Sequence, residues 1–211
     1  MMIIRNEEER DFRTVEEITK RAFWNLHSPG CNEHYLVHVM RDHEDFIPEL
    51  DYVLEIDGKI VGNIMYTKAK LVNDENIEKE ILTFGPVSVD PQYQRKGYGK
   101  ILIEHSILKA KELGYSYIVI FGNPSNYVSL GFKSCKRFNI YVGDEIYPTA
   151  MLVKQIAEDC LGDKKWNYME SEVYSIDEKQ VEIFDMGFEE MEKLENDKQE
   201  EFYILSNSSI G

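Results

Sequence analysis

Helical spacing of apolar residues comes first along the chain. Val15, Ile18, Ala22 and Phe23 fall near that spacing and predict a helix over residues 11–24, opened by Asp11, a good capping residue. Before it, residues 2–4 are a short apolar run that reads as a first strand, and after it His27-Ser28-Pro29-Gly30 breaks the helix. A second helix is predicted over 33–41, with Tyr35, Leu36 and Val39 on one side. Strand patterns follow. Residues 52–56 alternate, Asp57-Gly58 makes a tight hairpin turn, and 59–71 resume the alternation. A polar connection spans 72–79. Residues 81–89 form another strand, interrupted by Gly85-Pro86. A helix is predicted over 97–113, with Ile101, Leu102, Ile107, Leu108 and Ala110 on its apolar side and Gly114 closing it. Tyr117 to Phe121 is a continuous apolar run of the kind found in buried strands. A short helical piece at 126–130, strands at 132–142 and 150–153, a short helix starting at Ile156 and Ala157, and helical character over 188–202 complete the reading. The last residues, 206–211, are expected to fray. There is no internal repeat.

Composition narrows the possibilities. The 211 residues are 43% hydrophobic and 30% charged, ordinary for a folded domain, and no apolar run approaches the roughly 20 residues of a membrane span. The N-terminus turns acidic at Glu7 and Glu8 and lacks the apolar stretch of a signal peptide, so a cytoplasmic location is expected. Cys31, Cys135 and Cys160 are too few and too widely spaced for a disulfide framework or a zinc site, and no histidine spacing implies a metal. The net charge of -15 argues against a nucleic-acid partner and suits a cationic one. From position 151 onward there are 6 basic and 16 acidic residues, so -10 of the -15 lies there.

The richest chemistry lies in Val87-Ser88-Val89-Asp90-Pro91-Gln92-Tyr93-Gln94-Arg95-Lys96-Gly97-Tyr98-Gly99-Lys100. A strand, a proline turn and a glycine-spaced turn lead into an amphipathic helix. The first N–H groups of that helix have no acceptor within it, and with the helix dipole they favour an anion. Gly97 and Gly99 let a phosphate approach the backbone, and Arg95, Lys96 and Lys100 add positive charge. The glycine spacing fits neither a nucleotide-triphosphatase loop nor a dinucleotide fingerprint.

Gln94-Arg95-Lys96-Gly97-Tyr98-Gly99 resembles the Q/R-x-x-G-x-G/A signature of the GNAT acyltransferases, and Tyr127, four residues before Gly131-Phe132, matches a second marker of that family. The loop before Tyr127 is short, as in a bacterial branch of small GNAT proteins. The resemblance covers residues 2–153. It implies a mixed, twisted α/β sheet flanked by helices over 1–153, with 154–211 as an acidic extension packing on or completing that domain. It implies acetyl-CoA as co-substrate and transfer of its acetyl group to a primary amine through a tetrahedral intermediate. Carried over by position, the contacts to coenzyme A fall on Val87, Ser88, Val89, Gln94, Arg95, Lys96, Gly97, Tyr98, Gly99, Lys100 and Asn123. The Val87 amide would hold the oxyanion, the Gly85-Pro86 bulge would open the strand pair, and Tyr127 would protonate the leaving thiolate. For the base that deprotonates the amine, Glu33 ranks first and His34 second, with Asp51 and Glu55 further candidates. The acceptor is expected to be a small-molecule amine or a basic peptide, and a homodimer is compatible with the chain. A sensor that binds acyl-CoA without catalysis and a protein lysine or N-terminal acetyltransferase are the competing readings.

Overall fold

The computed structural model describes residues 1–159 and 161–211, so Cys160 lies outside the described residues. Among the described residues, nine strands form one mixed sheet: β1 (Met2–Asn6), β2 (Tyr52–Ile56), β3 (Lys59–Asn73), β4 (Glu78–Val89), β5 (Tyr117–Phe121), β6 (Lys133–Ser134), β7 (Ile140–Tyr141), β8 (Met151–Gln155) and β9 (Trp166–Met169). The helices are α1 (Phe12–Phe23), α2 (Glu33–Met40), α3 (Tyr98–Glu112), α4 (Pro124–Tyr127), α5 (Glu178–Asp185) and α6 (Asp197–Ser206). The strand order is β1-β2-β3-β4-β5-β8-β6, with β9 on the outer half of β3 and β7 beside β9. β4 and β5 pair in parallel, as do β7 and β9; the other pairs are antiparallel.

The unbroken apolar run of β5 is explained by burial on both faces. Ile118 and Ile120 join a core with Leu102, Ile103 and Ala110 of α3. Tyr117 and Val119 join a second core with Met151, Trp166 and Tyr168. A third core lies under α1 and α2, built from Val15, Leu36, Val37 and Met40 against Val53 and Met65. Helix α3 differs in detail from its expected apolar side. Ile103 and Ser106 are buried, whereas Leu108 is exposed. The Ser106 hydroxyl bonds the buried Tyr66 hydroxyl at 2.8 Å, so a polar residue occupies a core position that hydrophobicity alone does not find.

Two strand pairings decide where the chain opens. β3 and β4 pair in register except at one place, where Met65 alone stands opposite Gly85 and Pro86. That is a β-bulge on β4, at the expected dipeptide. β4 and β5 register at Leu82 opposite Ile118 and nowhere beyond. From there the two strands diverge, and the inner half of β4 has no neighbour on that side.

Several expected elements are different in the structure. Residues 132–142 are two short strands around the 3-10 turn Cys135–Phe138, because Ser134 caps that turn and Asn139 leaves it in the left-handed region. Residues 156–157 are not helical. Residues 188–196 are in neither helix nor strand and connect α5 to α6, each of which starts at its own side-chain cap, Asp177 and Asn196. The end of the chain is tied down. Thr149 N–H donates to the Ser208 carbonyl at 2.9 Å and Ile210 N–H to the Tyr147 carbonyl at 2.8 Å. Asp11 stands at the cap position of α1, but its carboxylate serves Arg5 and the Glu8 amide instead.

The chain beyond position 153 is integral to these layers. β9 extends the sheet, and α5 seats Asp185 against α1 and α2. The buried Lys20 ammonium lies 2.6 Å from Asp185 and donates to the Glu189 carbonyl at 2.8 Å. His34, with no solvent exposure, has Nε2 3.1 Å from Asp185 Oδ1, aligned too poorly for a hydrogen bond, and Nδ1 3.5 Å from Cys31 Sγ. Desolvation lowers the pKa of His34, outweighing the Asp185 carboxylate, which raises it, while Lys20 lowers it further. The unfolded chain takes up this proton near the ordinary histidine value of about 6.5, and the folded chain only at lower pH. Between the two, the unfolded state binds more protons, so stability rises with pH. Urea titrations are expected to give a lower unfolding free energy at pH 5.5 than at pH 7.5, and a smaller difference in a His34→Gln variant. An unchanged difference in that variant contradicts the assignment.

Candidate active site

The divergence of β4 from β5 leaves a cleft of about 380 Å³, bounded by β4, the turn into α3, and α4. Its strand wall is Val87 and Val89, and its floor reaches Ile103, Tyr127 and Leu130. The direction of the strand amides follows from the ladder. Asp90 N–H donates to the Val61 carbonyl at 2.8 Å, and Gly62 stands opposite Val89. In an antiparallel pair this makes Gly62 and Val89 a non-hydrogen-bonded pair, so the N–H and C=O of Val89 point away from β3. Val87, two residues back in the same register, points the same way, into the cleft. The Val89 carbonyl is met there by Gln94 Nε2 at 3.0 Å.

The turn at the mouth carries the positive potential. Arg95 and Gly97 both have positive φ, at 62° and 85°, which curls the backbone so that successive amides converge. The first bond of α3 is from Ile101 N–H to the Gly97 carbonyl at 3.1 Å. The amides of residues 95–100 donate to no acceptor among the described residues, leaving six consecutive donors at the positive end of the α3 dipole. Asp90 stabilises the approach by accepting from Gln92 N–H at 3.0 Å, and Arg21 of α1 pairs with Asp90 at 2.9 Å. Arg95 and Lys100 line the cleft with exposed side chains. Such an arrangement binds a phosphate or pyrophosphate.

Tyr127 sits at the inner end, its ring 6.1 Å from Phe84 and 5.8 Å from Phe132. Desolvation raises its pKa, so the phenol holds its proton at neutral pH. Gly122 makes room for it. A Cβ at Gly122 would lie 2.5 Å from Tyr127 Cε2, so the residue opening the short loop after β5 must be glycine for the ring to stand where it does.

The expected site residues separate into two groups. Val87, Val89, Gln94, Arg95, Gly97, Tyr98, Gly99, Lys100 and Tyr127 all line the cleft. Ser88 does not. Its side chain is buried on the opposite face of β4, where its hydroxyl accepts from Thr19 at 3.1 Å. Lys96 turns away to the Gln92 carbonyl at 3.0 Å. Asn123 caps α4 by accepting from Ser125 N–H at 3.0 Å, and Asn126 lines the cleft in its place. The expected bases are also elsewhere. His34 is sealed between α1, α2 and α5, and Glu33 faces His27 Nδ1 at 3.3 Å. Asp51 is buried and held by Asn63 at 2.9 Å, and Glu55 is bonded to Arg5 at 2.6 Å. Ala22 and Phe23, at the end of α1, and Leu26 just beyond it also line the cleft. Their helical spacing looks the same whether they face a core or a cavity. Among the described residues no group of three or more His, Cys, Asp or Glu is placed to hold a metal, and no helix is long and apolar enough to cross a membrane.

Comparison with known proteins agrees with this geometry. The sequence profile of the acetyltransferase (GNAT) family matches residues 20–133. The chain is 26% identical over 151 residues to the uncharacterized N-acetyltransferase YjhQ of Escherichia coli (strain K12), covering 71% of this chain and 76% of that protein. It is 25% identical over 161 residues to the uncharacterized N-acetyltransferase YhbS of the same strain, covering 76% of this chain and 90% of that protein. The crystal structure of Escherichia coli YhbS in complex with CoA superposes with a TM-score of 0.71 at 21% identity, covering 83% and 92% of the two chains. That of a GNAT family acetyltransferase from Brucella melitensis in complex with acetyl-CoA gives a TM-score of 0.65 at 22% identity, covering 82% and 98%. With the profile spanning more than half of its length and the fold the same, the chain belongs to the acetyltransferase (GNAT) family.

Proposed function

We propose that the chain is a cytoplasmic N-acetyltransferase that moves the acetyl group of acetyl-CoA to a primary amine by direct attack through a tetrahedral intermediate. The observation that carries this reading is the row of six unengaged amides at the head of α3, continuous with a cleft into which the Val87 and Val89 amides also point. The pyrophosphate of coenzyme A matches the first set, and a thin chain bearing amides and a thioester matches the second. The relatives whose structures contain CoA and acetyl-CoA support the same donor.

In this reading the thioester supplies an activated acetyl group, and the residues of the chain position it and manage protons. The turn at residues 95–100 anchors the donor. The Val87 N–H donates to the carbonyl oxygen as negative charge develops there. Tyr127, a protonated phenol whose pKa desolvation raises further, gives its proton to the departing sulfur. The acceptor is a small-molecule amine or a basic peptide, to which a net charge of -15 is attractive.

Calorimetric titration with acetyl-CoA, followed by thiol release against a panel of amines and lysine peptides, tests the reading. Binding with amine-dependent release is expected. Binding without release points instead to an acyl-CoA sensor, and absence of binding overturns the reading. Tyr127→Phe is expected to reduce turnover by roughly 100-fold or more with acetyl-CoA affinity retained; full turnover removes Tyr127 as the acid. Gly99→Glu is the cleaner probe of the anion site, because Gly97 has φ +85°, where any side chain is disfavoured, whereas a Cβ at Gly99 meets only Val89 at 3.7 Å. A folded Gly99→Glu protein should lose measurable acetyl-CoA binding, and normal affinity would place the pyrophosphate elsewhere.

A further inference from the structure

Between Phe84 and Val87 the ladder with β3 is interrupted, and Gly85 and Pro86 stand there opposite Met65. The Gly85 carbonyl lies in one peptide plane and the Val87 N–H in the next. The two dihedrals of Pro86 relate those planes. The proline ring fixes its φ, so only its ψ is soft between the Gly85 carbonyl and the Val87 amide. Holding the first therefore goes far toward holding the second. Gly85 does little to hold its own carbonyl. It has φ +152°, and a Cβ placed on it would meet no atom within 4 Å, so packing does not brace it on that side.

The brace comes from the C-terminal chain. Tyr174, on the 3-10 turn Glu172–Tyr174, donates its hydroxyl hydrogen to the Gly85 carbonyl at 3.3 Å. The buried Thr67 of β3 donates in turn to the phenol oxygen at 3.5 Å, so the hydroxyl stands between the two strands that the bulge sets out of step. The turn itself is fixed. Ser171 caps it by accepting from Val173 N–H at 3.4 Å, and the same hydroxyl lies 3.4 Å from His43 Nδ1. Val173 is buried in the core that contains Met65, the residue opposite the bulge, and the Tyr174 ring packs against that core. Desolvation raises the pKa of the Tyr174 phenol, so the hydroxyl keeps the proton that it donates. A stiff aromatic stem thus joins a packed core to the carbonyl next to Val87.

We propose that Tyr174 is a positioning residue for acetyl transfer: through the Gly85 carbonyl and the Pro86 ring it holds the Val87 N–H toward the oxygen of the thioester carbonyl. This rests on the acetyl-transfer reading above. The acidic C-terminal extension then contributes to catalysis without touching either substrate. Donor affinity and donor activation separate in this arrangement. The amides of residues 95–100, which anchor the pyrophosphate, lie in another turn and do not depend on Tyr174, whereas the alignment of the Val87 donor does. A hydrogen bond that strengthens as charge develops on the oxygen is sensitive to small errors of direction.

Infrared difference spectroscopy of acetyl-CoA carrying carbon-13 at the acetyl carbonyl tests it, since an N–H donor polarises the C=O bond and lowers its stretching frequency. On the wild-type protein the band is expected below that of free acetyl-CoA. Tyr174→Phe removes one oxygen and keeps the ring in its core. It should bind acetyl-CoA with unchanged affinity and lose most of that shift. With an amine acceptor its kcat should fall by about 10-fold or more at unchanged KM for acetyl-CoA. Thr67→Val removes a neighbouring hydroxyl but leaves Tyr174 on Gly85, and should keep the shift. A full shift in Tyr174→Phe, or a shift lost equally in Thr67→Val, overturns the proposal and leaves acetyl transfer standing. A wild-type protein that binds acetyl-CoA without any shift removes the Val87 contact and this proposal together. One that does not bind it defeats the acetyl-transfer reading itself, and this proposal with it.

Discussion

The structure depends on one failure of pairing. β4 and β5 are held in parallel at Leu82 and Ile118 and then separate, so β4 runs on to Val89 with its amides on that side unengaged. Unpaired backbone donors inside a protein cost free energy unless something accepts from them. Here the ladder on the other side of β4 is kept, the bulge at Gly85 and Pro86 absorbs the change of direction, and the turn at residues 95–100 adds a second set of free amides at the head of a helix. The protein thus maintains two groups of donors that no acceptor among the described residues engages, and they lie along one continuous cleft.

Much of this was legible in the sequence because it is local. Gln94, Gly97 and Gly99 between a strand and a helix state their own geometry, and Gly85-Pro86 can hardly sit in a regular strand. Tyr127 was legible by its spacing to Gly131-Phe132, but the reason its ring can stand there, the missing side chain of Gly122, is a contact that spacing does not reveal. Ser88 was misplaced by alternation. A cofactor motif quoted as a continuous run includes residues of both strand faces, and only Val87 and Val89 face the cleft. The bases were misjudged for a different reason. His34 and Glu33 look available in sequence because they are polar and near a loop, but Glu33 is taken up by His27, and the tail that covers His34 comes from about 150 positions away in the chain.

That tail is the part sequence reasoning explains least. Its 16 acidic residues suggest a solvated face. In the fold, β9 pairs with β3, Asp185 neutralises the buried Lys20, and Tyr174 reaches the bulge of β4. Trp166, Tyr168 and Val173 carry these contacts but are isolated apolar residues among charges, without a period that announces an element. The extension therefore packs against the same sheet that carries the cleft.

Amide hydrogen exchange with and without acetyl-CoA tests the central claim most directly, because the claim concerns named backbone donors. Protection is predicted to rise at residues 95–100 and at Val87 and Val89 when acetyl-CoA is added. Protection confined to other segments, with these amides exchanging as freely as before, would contradict the account.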